Sequence, residues 1–250
     1  MRFIPVKTRA ILPPRDNIYP ILDRYLPKLK ERDVVVITSK VLGIHQGRTV
    51  KIGGGKTRDD LVKTEAEAYI LRHLNKFRFC LSIKEHTLIA SAGIDESNGN
   101  GYYILWPKNP AKLALEICNY LKKKFRLKEL AVVITDSHTI PMRYGVMGIS
   151  IGFFGLVPLK DYRGHKDIFG RKLKVTRANV IDSVASLAVL IMGESNERTP
   201  ILVVRDMPNL QFTNKPTYKE LVIPYAEDIY APLLKVFRRH RPVRNRGRKA

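Results

Sequence analysis

The stretch Ala131–His138, AVVITDSH, constrains the fold of this chain more than any other. Four apolar residues, three of them β-branched, run straight into Thr135, Asp136, Ser137 and His138. A short apolar run bounded in this way predicts a buried strand, although periodicity alone fits a buried helix as well. Asp33–Ser39 (DVVVITS) and Ile201–Arg205 (ILVVR) carry the same signal. An acidic residue at the carboxyl end of such a strand stands where open α/β sheets place their ligands. Asp136 followed by a hydroxyl offers the hard oxygen donors that Mg²⁺ or Mn²⁺ selects. The same pair also suits a turn or a helix cap.

Around these runs, strand-like and helical patterns alternate. Phe3–Val6, two short runs within Phe77–Ser91 with His86 between them, and Tyr102–Trp106 read as strands. Ile18–Leu29 is weakly helical. Thr57–Leu74 reads as an amphipathic helix, with Leu61, Ala66, Tyr69, Ile70 and a partly buried His73 on one face. Ala111–Phe125 reads likewise, with Leu113, Ile117, Tyr120 and Leu121 inward and a basic end that suits a helix C-terminus. Ala178–Met192 is helical and stops at Gly193. Lys40–Arg48 reads as sharp turns permitted by Gly43 and Gly47. Gly53–Lys56, GGGK, lacks the spacing of a Walker A loop and reads as a flexible turn. The glycines at 148, 152 and 155 permit close packing of strands or helices. Asp161–Leu173 is a polar loop, and Leu221–Phe237 a closing helix broken by Pro224 and Pro232. The alternation places the chain in the α+β (mixed α/β) class.

With 250 residues and 44% hydrophobic content the chain can bury a real core. No apolar run reaches the roughly 18 residues a membrane span requires. The N-terminus, interrupted by Pro5, Lys7 and Arg9, is a poor signal peptide, so a cytoplasmic protein is expected. Cys80 and Cys118 fit no metal spacing and read as buried free thiols. The net charge is +22, and seven of those charges lie between Arg238 and Lys249. Residues 1–237 are therefore expected to form the catalytic body and 238–250 a basic, disordered tail. Removing the seven tail charges from +22 leaves +15, so the body is basic too. Such a charge suits an anionic small molecule or a nucleic acid.

Three acidic residues stand at element ends: Asp95 in the loop SAGIDESNGNG (91–101), Asp136, and Glu194 after the predicted helix. With Ser137 they would make an oxygen-rich site for one or two divalent cations able to bridge nucleotide phosphates. The segments AGIDESN (92–98), VVITDS (132–137), GRKLKVT (170–176) and MGE (192–194) followed by VVRD (203–206) give this site a more specific meaning. In order and spacing they resemble the coenzyme F-420-0:γ-glutamyl ligase family over about Phe3 to Asp206. The resemblance implies a two-domain fold in an intertwined homodimer. It also implies a reaction that joins L-glutamate to a phospholactyl deazaflavin using GTP, or ATP, and Mg²⁺ or Mn²⁺ at two sites. By the same resemblance Asp95 and Asp136 ligate a first metal, and Ser137 and Glu194 a second. The resemblance further implies that Ser39, Lys40, Asn98 and the loop Met192–Thr199, with Gly193, Glu194 and Ser195, contact nucleotide. Arg143 would hold the phosphoryl group or the acceptor.

The chain departs from the family pattern at positions of the expected site, beginning with Ser137 where the family usually has threonine. After Asp136 it reads SHTIPMR, so Ile140 stands where the family has a first arginine. Ile44 replaces a lysine, and Gln46 a glutamate. These departures bear on the substrate more than on the reaction class. They leave open folate or another carboxylate as acceptor. A reading of another class is a basic nucleic-acid-binding protein on an inactive scaffold.

Overall fold

The computed structural model describes residues 1–239. Its centre is a five-stranded sheet. In chain order the strands are β1 (Arg2–Val6), β2 (Asp33–Thr38), β3 (Thr49–Lys51), β4 (Ala68–Ile70), β5 (Leu81–Lys84), β6 (Thr87–Ala90) and β7 (Tyr102–Ile104). They continue with β8 (Leu130–His138), β9 (Met147–Phe154), β10 (Leu159–Asp161), β11 (Arg177–Asn179), β12 (Ile201–Arg205) and β13 (Arg238–Arg239). The helices are α1 (Ile18–Tyr25), α2 (Ser39–His45), α3 (Arg58–Glu65), α4 (Pro110–Phe125), α5 (Val180–Met192), α6 (Tyr218–Leu221) and α7 (Ala231–Leu234). The central sheet has the order β1-β12-β2-β8-β9; β2 and β8 are parallel, and every other neighbouring pair is antiparallel. A second sheet, β13-β4-β5-β6, and the ribbons β3-β7 and β10-β11 complete the mixed α/β architecture.

The apolar runs are continuous because both faces of the central sheet are covered. Along β2, β8 and β12 successive side chains alternate between faces. Val35, Ile37, Val132, Ile134, Ile201 and Val203 pack against Ile18, Ile21 and Leu22 of α1 and against Leu113, Ile117 and Leu121 of α4. Val34, Val36, Ala131, Val133, Leu202 and Val204 pack on the other face against Ile181, Val184, Ala185 and Ala188 of α5. A smaller cluster of Leu61, Val62, Ala66, Cys80, Ile94 and Leu105 lies under α3. Cys80 and Cys118 are buried and free.

β9 is sheathed by helices on both sides, which explains its glycines. A Cβ on Gly148 would lie 2.2 Å from the Ala185 carbonyl oxygen of α5, and one on Gly152 would lie 2.5 Å from the Pro110 backbone of α4. Backbone cannot yield as a flexible side chain can, so Gly152→Ala is expected to cost about 1–3 kcal/mol through overpacking. Chemical denaturation measures this, and a loss below a few tenths would show that α4 can move away from the sheet.

Three expected elements differ. Ser39–His45 is helical rather than a pair of turns, with Gly43 there because a Cβ would lie 2.3 Å from the Leu105 carbonyl oxygen. The helix expected over 57–74 ends at Glu65, and Ala68–Ile70 instead pair with β5 as a strand, leaving His73 exposed. Helical spacing is visible in the sequence, but the vacant edge of β5 that recruits these residues is not. The closing helix over 221–237 is replaced by the short α6, a 3-10 turn at Tyr225–Glu227 and α7. Arg238 and Arg239 pair through their backbone with Tyr69 and Ala68 in place of the expected disorder, and the tail from 240 onward lies outside the described residues. Among the described residues no helix is long and apolar enough to cross a membrane.

Candidate active site

Strand directions bring the site together. The parallel pair β2 and β8 ends at one edge of the sheet, with Thr38 opposite Thr135. Because β12 runs antiparallel to both β1 and β2, its first residue, Ile201, lies beside Val6 and Ile37. The chain leaving β1, the N-terminus of α2, the end of β8 and the loop entering β12 therefore meet at the same edge. The β6–β7 loop joins them there. The result is a cavity of about 810 Å³, with Lys40, Asp95, Asn98, Asp136, Ser137 and Glu194 in its wall.

Asp136 is not at a cap. β8 continues through it to His138, and Ile151 of β9 is the extra residue of a bulge that faces the Ile134–Thr135 step. The Asp136 side chain points to the α4 face, where its Oδ2 accepts the indole N–H of Trp106 and its Oδ1 accepts the backbone N–H of Ser137 at 2.9 Å. Burial and then the neighbouring Asp95 carboxylate push its pKa up to about 7. Asp95 is held by two backbone bonds with Ile104, at 2.8 and 2.9 Å, in a loop that leaves β6 through left-handed Ser91 and Ala92. Its Oδ2 lies 3.4 Å from Lys40 Nζ, which also donates to Ser97 Oγ at 3.2 Å. Partial burial raises Glu194, the Lys40 ammonium opposes that rise, and the Asp95 carboxylate adds to it. Asn98, itself left-handed, donates to the Ser195 carbonyl at 3.0 Å and so ties the β6–β7 loop to the Met192–Thr199 loop.

Nine of the expected residues thus line one cavity: Lys40, Asp95, Asn98, Asp136, Ser137, Met192, Gly193, Glu194 and Ser195. Ser39 does not, because it is 1% exposed within the first turn of α2. Nor does Arg143, which belongs to the solvent-exposed connection between β8 and β9. Met142 and Tyr144, on either side of it, are fully exposed as well. Sequence reasoning missed Trp106. The signal was there to be read, since it is the only tryptophan in the chain and closes an aromatic run, but nothing local connects it with Asp136.

The donor set suits a hard divalent cation. It comprises three carboxylates and a hydroxyl, with Asp136 buried and facing the like charge of Asp95. The carboxylates do not close into a cage, for among the described residues no three acidic, histidine or cysteine side chains stand together at metal-binding distance. An open set of this kind matches Mg²⁺, which typically takes one or two carboxylates and completes its shell with water and substrate phosphate.

Comparison with known proteins bears on the same residues. The family model described as F420-0:Gamma-glutamyl ligase matches residues 5–206. The coenzyme F420:L-glutamate ligase of Methanococcus maripaludis is 34% identical over 81% of this chain and 86% of its own length. The protein of the same name from Methanocaldococcus jannaschii is 30% identical over 86% and 90%. That of Methanopyrus kandleri is 28% identical over 89% and 94%.

Proposed function

The chain belongs to the F420-0:gamma-glutamyl ligase family, and from that premise we propose that it joins L-glutamate to the carboxylate of coenzyme F420-0, or of a closely related acceptor, at the expense of GTP or ATP. The observation that carries this reading is the convergence of Asp95, Asp136 and Glu194, from three separate parts of the chain, on one cavity that also holds Lys40. An oxygen-rich wall with a single lysine among the acids suits phosphates bridged by divalent cations.

In this reading Asp95, Asp136, Ser137 and Glu194 would hold one or two Mg²⁺ or Mn²⁺ ions, which would supply charge neutralisation to the phosphates. Lys40 adds a fixed positive charge beside Asp95 and Ser97. The Met192–Thr199 loop, tied down by Asn98, forms the nucleotide side of the cavity. The acceptor carboxylate attacks the γ-phosphorus, the bond to the nucleoside diphosphate breaks, and an acyl phosphate forms. The glutamate amine then attacks the acyl carbon, phosphate leaves, and the nitrogen loses a proton to give the amide. Neither step needs a cysteine or serine nucleophile, which agrees with the burial of both cysteines away from the cavity wall.

Calorimetric titration of GTP and ATP, each with Mn²⁺, with Mg²⁺ and with EDTA, tests the cofactor part. Saturable binding of at least one nucleotide with metal, weakened about tenfold or more by EDTA, is expected. Absence of binding under every condition would sink it. Incubation with glutamate, nucleotide, metal and coenzyme F420-0, followed by mass measurement, tests the acceptor.

A further inference from the structure

Trp106 is 1% exposed and is the only tryptophan in the chain. Its indole N–H bonds to Asp136. Its ring and its backbone are both held in place. Arg48 Nε donates to its carbonyl oxygen at 3.1 Å. The ammonium of Lys84, almost wholly buried, lies 5.4 Å from its ring centroid. Glu65 joins these two cations, at 2.6 Å from Arg48 and 2.7 Å from Lys84. Gly93, in the same motif as Asp95, leaves room for the ring: a Cβ there would lie 2.1 Å from the indole nitrogen. Lys84 and Gly93 meet the ring, Arg48 holds the backbone of the same residue, and Glu65 links the two cations, while the single polar atom of the side chain is spent on Asp136.

We propose that Trp106 is a positioning residue for the ligase reaction: braced by Arg48, Lys84 and Glu65, its N–H fixes the Asp136 carboxylate so that the remaining lone pairs of both oxygens face the cavity and a divalent cation. This rests on the reading of Asp136 as a metal ligand. One Asp136 oxygen is held by Trp106 and the other by the Ser137 backbone. A carboxylate has about four acceptor sites, so each oxygen keeps capacity for a cation. Outer partners of this kind orient ligands, and removing them typically weakens metal binding about 10–100-fold.

The test compares wild type, Trp106→Phe, Trp106→His and Asp136→Asn in Mn²⁺ titrations followed by electron paramagnetic resonance, with melting temperatures alongside. Trp106→Phe, which lacks the N–H, is expected to weaken Mn²⁺ binding about tenfold or more and to lower kcat more than it raises the glutamate KM. Trp106→His, which keeps a ring N–H, is expected to recover part of both. Folded Trp106→Phe protein with wild-type Mn²⁺ affinity and kcat overturns the proposal. If Asp136→Asn also binds Mn²⁺ as wild type does, the metal reading itself has failed, which is a different result. Should the tryptophan variants not fold, wild-type emission decides. As the sole tryptophan touches Asp136, bound Mn²⁺ is expected to quench its fluorescence and Asp136→Asn to abolish the quenching. Mn²⁺ binding that depends on Asp136 yet leaves the emission unchanged overturns the proposal.

Discussion

Asp136→Asn is expected to abolish amide formation, by about 10³-fold or more, while leaving the protein folded with a stability close to wild type. The two halves of this expectation have one cause. The Asp136 carboxylate is buried, faces the Asp95 carboxylate, and accepts only two N–H groups from the protein. Both surroundings oppose its charge, so without a cation the charged form is a burden on the fold. Asparagine keeps the shape and removes the charge, but its amide nitrogen must face one of the two N–H donors, Trp106 or Ser137, so the relief is offset by one lost hydrogen bond. What it also removes is the negative oxygen that draws a divalent cation, and electrostatic stabilisation of this sort commonly contributes more to the rate than any other single effect. Product formation followed by mass, with melting curves on the same samples, checks both halves. An Asn variant with full activity would show that Asp136 is not a metal ligand. An inactive variant that also fails to fold would move the residue's role from chemistry to structure.

Replacing Arg205 with alanine is expected to have the opposite profile, a large loss of stability from a site outside the cavity wall. Asp33, the first residue of β2, is fully buried. Arg205, the last residue of β12, binds it through both oxygens, at 2.8 and 2.7 Å, and the Lys30 backbone N–H donates to it at 2.8 Å. The pair joins the two neighbouring central strands at the edge opposite the cavity. Removing the guanidinium leaves a carboxylate in the core without a counter-charge, which costs about 3–5 kcal/mol. In a chain of this length that corresponds to a melting temperature lower by roughly 10 °C. Chemical denaturation measures the loss, and a value below about 1 kcal/mol would mean that water reaches Asp33. A double variant, Asp33→Leu with Arg205→Met, is expected to recover most of it, because an apolar pair of similar volume has no charge to desolvate.

Much of the core was legible in the residues. β2, β8 and β12 announce themselves because a strand covered on both faces must be apolar at consecutive positions. α4 and α5 announce themselves because their inward residues recur at helical spacing and their ends carry basic residues or Gly193. The acidic and hydroxyl residues of the cavity could be picked out for the same local reason: AGIDESN and ITDS interrupt apolar patterns with side chains that a core would not accept unpaired. The strand at Ala68–Ile70 was not legible, since its residues also fit a helical face and only the neighbouring β5 decides between the two. The bulge beside Asp136 and its continuation in β8 were hidden for a similar reason, because they depend on the register of β9.

By itself, then, the sequence determined the element types of the core, the chemistry available for a site and, through its spaced motifs, the family. Tertiary structure alone decided which of those side chains meet. Asp95, Asp136 and Glu194 share a cavity because β2 and β8 run parallel while β12 runs against β1 and β2, so several chain segments arrive at one sheet edge. The same packing buried Ser39, sent Arg143 out to solvent and placed Trp106 against Asp136. Residue type and spacing act over a few positions along the chain, whereas strand order and direction are settled by burying two faces of one sheet at once, and that condition couples residues far apart in the sequence.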